Sequence, residues 1–409
     1  MTAISGIFNS SQFTTDLEQK SFASMITRLM PNGNAPLFAL TSRLAAKTAV
    51  QTEHGFFTKT MVFPSFDLTA DITNAATTFT VADSSALVPG QIHRLEETGE
   101  NVIINTIVSA TSITVTRSVG SVAAAAVSIG AGISEAYQVG NAFEESSDRP
   151  VALSVQPVRI TNLTQIFRNT WALSGTAAAT QVIAGETNIA ENRTDCAAFH
   201  AGDIEKALFF GQKSEGTRNG SPFRTMDGLH NIVSNLAYYP ASYSVPNVSV
   251  AGATTNYSQL VGYLDPLFDQ STDPKVANER VLFCGGKAIN VLNEVGRLSG
   301  QYEIVNGMTD FGLQFSSFKI PRGTFRMVEH PLFNTNAHWS SMAMAVDLST
   351  FATAYLGDRK TQNREFNQNG TPVDSGIDAV GGTLTTEMTC EIRNPPANGI
   401  ITGLTAGVA

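Results

Sequence analysis

A chain of 409 residues is long enough for two or three domains and a sizeable core. Charged residues make up only 15%, with 33 glycines, 16 prolines and a formal net charge of −9. Those values exclude a disordered or collagen-like chain and a protein that grips nucleic acid through a basic face, and leave Thr, Asn and Ser to supply a polar surface that is cheap to desolvate against neighbours.

In chain order, Thr15 and Glu18 have the spacing of a capping box ahead of Phe22, Met25, Ile26 and Leu29 on one helical face. Pro31-Asn32-Gly33 stops that helix, and Pro36 opens a second with Leu37, Leu40 and Leu44. Residues 56–66 alternate as one long strand. From 67 to 132 the composition changes: Arg94 and Arg117 face Asp67, Asp71, Asp83, Glu96, Glu97 and Glu100. Short alternating runs at 77–82, 91–96, 101–108 and 112–117 predict a small barrel or sandwich inserted between longer segments. Residues 137–149 read as turn-rich and 158–173 as extended.

The sequence 188–210 reads as the longest helix, with Ala197, Ala201, Ile204 and Leu208 on its packing stripe and Glu191, Arg193, Glu205 and Lys206 on polar faces. Further on, a helix over 257–268, a buried strand at 280–284 and a helix over 287–298 precede strands at 313–320, 325–329, 342–348 and 352–356. In the terminal strand, 383–393, Leu384, Thr386, Met388, Cys390 and Ile392 face one way, and Thr385, Glu387, Thr389 and Glu391 the other.

No pattern of residues carries catalysis. Gly285-Gly286-Lys287 follows a strand and opens a helix, but the earlier glycine of a phosphate loop and the Ser or Thr after Lys287 are absent. There is no Gly-x-Ser-x-Gly elbow and no His-Glu-x-x-His. His54, His93, His200, His230, His330 and His338 lack metal-ligand spacing. Cys196, Cys284 and Cys390, odd in number and far apart, indicate reduced structural thiols. Catalytic, cofactor-binding and metal residues are therefore expected to be none. The five Asn-Gly pairs, at Asn32, Asn219, Asn306, Asn369 and Asn398, read as turns. The first twenty residues lack a secretory signal, and the apolar stretch 121–133 is far short of the roughly 20 residues of a membrane helix, so cytoplasmic synthesis without membrane insertion is expected.

The order of elements, and several strings along it, carry a resemblance. Ser21-Phe22-Ala23-Ser24-Met25-Ile26, Ala35-Pro36-Leu37-Phe38, Asn162-Leu163-Thr164-Gln165-Ile166-Phe167-Arg168-Asn169, Asp203-Ile204-Glu205-Lys206-Ala207-Leu208 with Gly211, Met226-Asp227-Gly228-Leu229, and Gly381-Gly382-Thr383-Leu384 through Asn394-Pro395 are similar to the major capsid proteins of tailed bacteriophages with the HK97-type fold, in the branch typified by phage SU10. The resemblance implies an α+β capsid fold with an inserted all-β domain. Its parts would be an N-terminal arm (1–47), an extended loop (48–66 and 134–157), an inserted β domain (67–133), a peripheral domain with a long spine helix (158–234 and 321–409) and an axial domain (235–320).

It further implies a non-enzymatic protein that self-assembles as hexamers and pentamers into an icosahedral head around double-stranded DNA, touching the DNA without sequence preference. Its implied partners are a separate scaffolding protein, a portal protein and, optionally, a decoration protein. Assembly would take place in the bacterial cytoplasm without a membrane. Lys59 is the only lysine on the first limb of the loop, and no feature selects a cross-linking partner for it. The competing class is a phage tail or surface adhesion protein in which 67–132 recognises a receptor.

Overall fold

The computed structural model describes residues 35–42, 44, 46–59, 63–130, 134–180, 188–239, 243, 245–269, 279–299, 305–310, 313–366 and 378–408. The expected first helix, with its capping box, lies outside them. The chain divides into two compact units: the described residues up to Phe57 together with those from Arg159, and Thr58–Val158. Helices are few and strands many, in keeping with the α+β expectation.

The smaller unit is built from six antiparallel strands, in spatial order Ser65–Asp67, Glu135–Asn141, Gln91–Leu95, Asn101–Ser109, Ser112–Thr116 and Thr78–Thr80. Its two outer strands also meet. Leu68 and Val81 bridge, the Thr69 N–H donates to the Thr80 carbonyl at 2.9 Å and the Ala82 N–H to that of Asp67 at 2.9 Å. The sheet is thereby closed into a small barrel without a free edge, the arrangement that removes unpaired strand donors and acceptors. Alternate residues point inward, and Phe66, Phe79, Leu95, Val102, Ile104 and Ile113 fill the centre.

This sheet is larger than the four runs expected from sequence. Residues 135–141, which overlap the 137–149 stretch read as turn-rich, form a strand in which only Ala136 is buried while Tyr137 and Val139 are exposed. With one buried position, the strand has too little apolar periodicity to be seen. The single strand expected at 56–66 is instead Glu53–Thr58 and Ser65–Asp67, with 60–62 outside the described residues. Expressed alone, 58–158 is expected to give a β-type circular dichroism spectrum and a cooperative melt. The shorter piece 67–132 lacks the strand Glu135–Asn141 and all but Asp67 of Ser65–Asp67, which opens the ring, and is expected to melt without cooperativity; equal melting of the two would contradict the barrel account.

His93 lies fully buried inside the barrel, 5.1 Å from the Phe66 ring, with Nε2 at 3.2 Å from Gln91 Oε1 and Nδ1 unpaired. Burial pushes its imidazole down to about 4 from 6.5, against a smaller opposing effect of the Ala136 backbone. The unfolded chain therefore takes up a proton near pH 6.5 that the barrel refuses until about pH 4. Stability from this group is complete above pH 6.5 and falls by about 3 kcal/mol as the pH drops to 4. Melting 58–158 across that window checks it: His93→Leu is expected to flatten the profile there, and an unchanged slope would exclude His93 as the cause.

In the larger unit, a seven-stranded sheet runs in the order Val248–Val250, Gly399–Thr402, Ala343–Val346, Glu279–Cys284, Gly323–Glu329, Leu313–Ile320 and Val305–Asp310. The helix Tyr257–Leu264 opens with a reciprocal Asn256–Gln259 capping box and tightens to a 3₁₀ turn, Asp265–Phe268. Leu260, Leu264 and Leu267 pack in one core with Leu292 and Val295 of the helix Gly286–Ser299. A second sheet orders Lys47–Ala49, Phe351–Leu356, Ala379–Ile392 and Gln165–Ser174, with Gln362–Phe366 also on Ala379–Ile392. The helix Asn188–Phe210 has the expected bounds. Its buried stripe is Cys196, His200, Ile204 and Leu208, displaced by one residue at its start from the expected Ala197 and Ala201.

Of the Asn-Gly pairs, Asn219-Gly220 is a tight hairpin turn with positive φ at both residues (52° and 75°). Asn306 sits in a strand at a register shift, Asn398 leads into the strand Gly399–Thr402 with φ −110°, and Asn32 and Asn369 lie outside the described residues.

Candidate functional site

Four of the recognisable strings converge in the larger unit. Asn162 is 1% exposed, and all four hydrogen-bonding positions of its amide are used. Its Nδ2 donates to the carbonyls of Asp227 (3.0 Å) and Cys390 (3.0 Å), and its Oδ1 accepts from the N–H of Asp227 (2.7 Å) and Leu163 (2.8 Å). The next residues repeat the pattern. Thr164 donates to Glu387 Oε1 at 3.1 Å, and Gln165 Oε1 accepts from the Met226 N–H at 3.1 Å. Asn169 donates to Asp203 of the long helix at 2.9 Å, and its Oδ1 lies 2.7 Å from His200 Nδ1. His200 Nε2 in turn meets Thr386 Oγ1 at 2.7 Å. Burial lowers the His200 pKa, opposed by Asp203, so the ring is a neutral link with Nδ1–H as donor and Nε2 as acceptor.

Glycine permits the closest approach in this junction. A Cβ on Gly211 would come within 2.6 Å of the Ala207 and Met226 carbonyl oxygens, and one on Gly228 within 2.6 Å of the Ala207 oxygen and 2.7 Å of the Gly211 nitrogen. The Gly228 N–H donates to the Gly211 carbonyl at 3.0 Å. Asp227, between these contacts, accepts from the Lys213 N–H (2.9 Å) and Asn231 Nδ2 (2.5 Å). The Cys390 thiol is pushed up to about 12, chiefly by burial, and lies 2.9 Å from the Asp227 carbonyl. It is an inert packed donor, not a nucleophile.

Buried carboxylates tie further segments in. Glu205, expected on a polar face, is 1% exposed. Its Oε2 accepts from the Phe38 N–H (2.7 Å), and its Oε1 from the Leu37 N–H (2.7 Å) and His330 Nε2 (2.8 Å). It thus caps the helix Pro36–Thr41, whose own N-cap, Ala35, has no side chain able to do so. The His330 tautomer follows, because Nδ1 accepts the Leu332 N–H at 3.1 Å. The terminal strand also departs from expectation, since its polar side is buried too. Glu387 meets Arg359 at 2.8 Å, and Glu391 meets Arg393 at 2.6 Å, Lys47 at 2.9 Å and His54 at 3.2 Å. Burial would raise the Glu391 pKa, but bonds from His54, Arg393 and Lys47 outweigh it and hold the carboxyl down to about 2.

The arrangement is a structural centre whose buried amide, imidazole and carboxylate groups bond segments distant in sequence, while the buried Thr389 hydroxyl has no partner. Residues 9–405 match the sequence profile of the SU10 major capsid protein family. The chain belongs to that family. It is 37% identical over 414 residues to the major capsid protein of Pseudomonas phage PaMx41, across 99% of this chain and 97% of that one. Among solved structures it is similar to the capsid of an empty GTA particle (TM-score 0.47, 10% identity, 97% of this chain and 99% of that one) and to a structure from Mycobacterium phage Cain (TM-score 0.44, 10% identity, 96% of each chain). Membership rests on the sequence relationships.

A major capsid protein is a structural component of a phage particle, not an enzyme, and the adhesion alternative gives way to that assignment. The residues weighed for chemistry have structural roles to match. A Cβ on Gly285 would lie 2.5 Å from the Ser340 backbone. The Gly286 N–H, at the start of its helix, donates to Asn334 Oδ1 at 2.7 Å, so Asn334 occupies the place a phosphate would take. His230 lies beside the Phe210 ring at 6.1 Å, and the His338 N–H is capped by Asn336. Among the described residues no group of three or more His, Cys, Asp and Glu is arranged for a metal, and no helix is long and apolar enough to cross a membrane. The sequence strings flagged the junction without revealing its bonds; Glu205 gave no signal because its partners Leu37, Phe38 and His330 are far away in sequence, as are Lys47 and His54 for Glu391.

Proposed function

We propose that this capsid protein assembles as hexamers and pentamers into an icosahedral head of HK97-type architecture that encloses double-stranded DNA. Membership of a major capsid protein family over nearly the whole chain carries the reading. In this arrangement 1–47 is an N-terminal arm, 48–66 with 134–157 an extended loop whose strands Ser65–Asp67 and Glu135–Asn141 complete the barrel, 67–133 an inserted β domain, 158–234 with 321–409 the peripheral domain and 235–320 the axial domain. A separate scaffolding protein, a portal protein and a decoration protein are the partners such a head would take in the bacterial cytoplasm. The net charge of −9 supports DNA contact that is weak and non-specific.

The test is negative-stain microscopy of the purified assembly. Closed shells are expected, and discrete trimers or tubes would overturn the proposal. Deleting residues 1–35 is expected to leave soluble capsomers or misassembled material, so normal closed heads from that truncation would remove the arm from assembly.

A further inference from the structure

The strands Ser214–Arg218 and Ser221–Thr225 form a two-stranded hairpin that pairs with no other sheet among the described residues. Every residue from 214 to 223 is exposed. An isolated hairpin is marginal in water, yet this one is anchored at its base. Its base is fixed to the junction by the Lys213 N–H on Asp227 and closed across its two limbs by the Thr225 hydroxyl on the Gln212 carbonyl (2.6 Å), and its tip is the two-residue Asn219-Gly220 turn.

The register places Phe223 opposite Gly216, and Arg218 opposite Ser221, on one face. Gly216 has no side chain to cover the ring, and the space where its Cβ would point is open; Phe223 is accordingly 42% exposed. Arg218 makes no ion pair among the described residues. An uncovered aromatic beside an arginine without an ion pair on a base-anchored ribbon has the composition of an interface anchor. The segment 213–225 carries Lys213, Arg218 and Arg224 against Glu215 on a chain whose net charge is −9; Arg224 meets Glu215 at 3.5 Å and Lys213 lies 4.0 Å from Glu53, so Arg218 is its cation without an ion pair among the described residues. A basic projection on an acidic molecule is complementary to another copy of that molecule.

We infer that this hairpin is an assembly contact, with the Phe223 and Arg218 face seated on an acidic surface of a second copy of the chain. The inference rests on the self-assembly proposed above. Phe223 becomes desolvated and Arg218 acquires a carboxylate partner only when copies associate.

The primary test uses the full-length wild-type protein: hydroxyl-radical footprinting of Phe223, read by mass spectrometry, in free subunits and in empty and filled shells. Oxidation of Phe223 is expected to fall about tenfold on assembly in both kinds of shell, as water is excluded from an anchor residue. Equal labelling in subunits and shells overturns the inference. Protection in filled shells alone also overturns it, in favour of a nucleic-acid contact.

A second test is particle yield from Phe223→Ser and Arg218→Glu, with melting of the unassembled subunits as control. Yield is expected to drop about 30-fold for each with melting unchanged, and wild-type yield overturns the inference. Wild-type protein that forms no shells would defeat the proposed function instead, a result distinct from either outcome above.

Discussion

Gly228→Ala is expected to destabilise the larger unit by about 3 kcal/mol or more. The cause is steric. Gly228 has φ −98° and ψ 176°, an extended conformation open to any residue, but a Cβ there would meet the Ala207 oxygen, the Gly211 nitrogen and the Phe209 carbonyl carbon at 2.6, 2.7 and 2.9 Å. All three are backbone atoms of the long helix and its exit, so relief requires the helix and the 226–229 segment to part. Gly262→Ala is the matched control, because a Cβ there meets nothing within 4 Å; within the helix Tyr257–Leu264 it is expected to gain roughly 0.5–1 kcal/mol.

Chemical denaturation of unassembled subunits measures both. Equal stability of the two variants would sink the close-approach explanation. Asn162→Leu acts on the same segment, stripping partners from the N–H and carbonyl of Asp227, at a cost of about 2–4 kcal/mol. Combined with Gly228→Ala its effect is expected to be less than additive, since the first change already separates the parts that the second would disturb.

Arg117→Met is expected to cost the barrel about 3–5 kcal/mol. Arg117 binds Glu100 through two parallel bonds, Nε to Oε1 at 2.7 Å and Nη2 to Oε2 at 2.6 Å. Its remaining donors reach the carbonyls of Thr73 (3.0 Å), Ala76 (3.2 Å) and Ala125 (2.7 Å), and its guanidinium lies 5.2 Å from the centre of the Phe79 ring. One side chain therefore staples two loops over the barrel end. Removing it leaves the Glu100 carboxylate, itself fully buried, with only the N–H groups of Ser118 and Ala125.

Burial alone would raise the Glu100 pKa, but the bond from Arg117, with those from Ser118 and Ala125, holds it below the ordinary 4.5. Its contribution to stability is present above pH 4.5 and lost as the pH falls through the lowered value. In Arg117→Met the carboxyl titrates higher, so acid unfolding of 58–158 is expected to begin at higher pH. Glu100→Leu with Arg117→Met removes both charges and is expected to recover much of the loss. Failure of the double variant to exceed Arg117→Met in stability would show that the carbonyl bonds, rather than the buried charge, dominate.

The helix Asn188–Phe210 was legible end to end because its apolar residues repeat at helical spacing, and the strands within 78–116 because theirs alternate. Sequence strings alone also marked the family, since Asn162, Asp203, Asp227 and the 381–395 stretch stand in recognisable order. What those strings do was decided only by the tertiary structure, which joins Asn162 to Asp227 and Cys390. Barrel closure depends on residues 65–69 and 135–141, and the strand Glu135–Asn141 buries a single alanine and has no periodic signature. The sequence places Glu205 on a polar face and Glu391 on the polar side of its strand, but alternation and helical spacing report which side of an element is apolar, not whether its polar side is also covered. The covering groups, Leu37, His330, Lys47 and His54, lie more than a hundred residues away in sequence. Local spacing is fixed by backbone geometry and can be read from neighbours in the chain, whereas the partner of a buried charge is fixed by packing between distant segments.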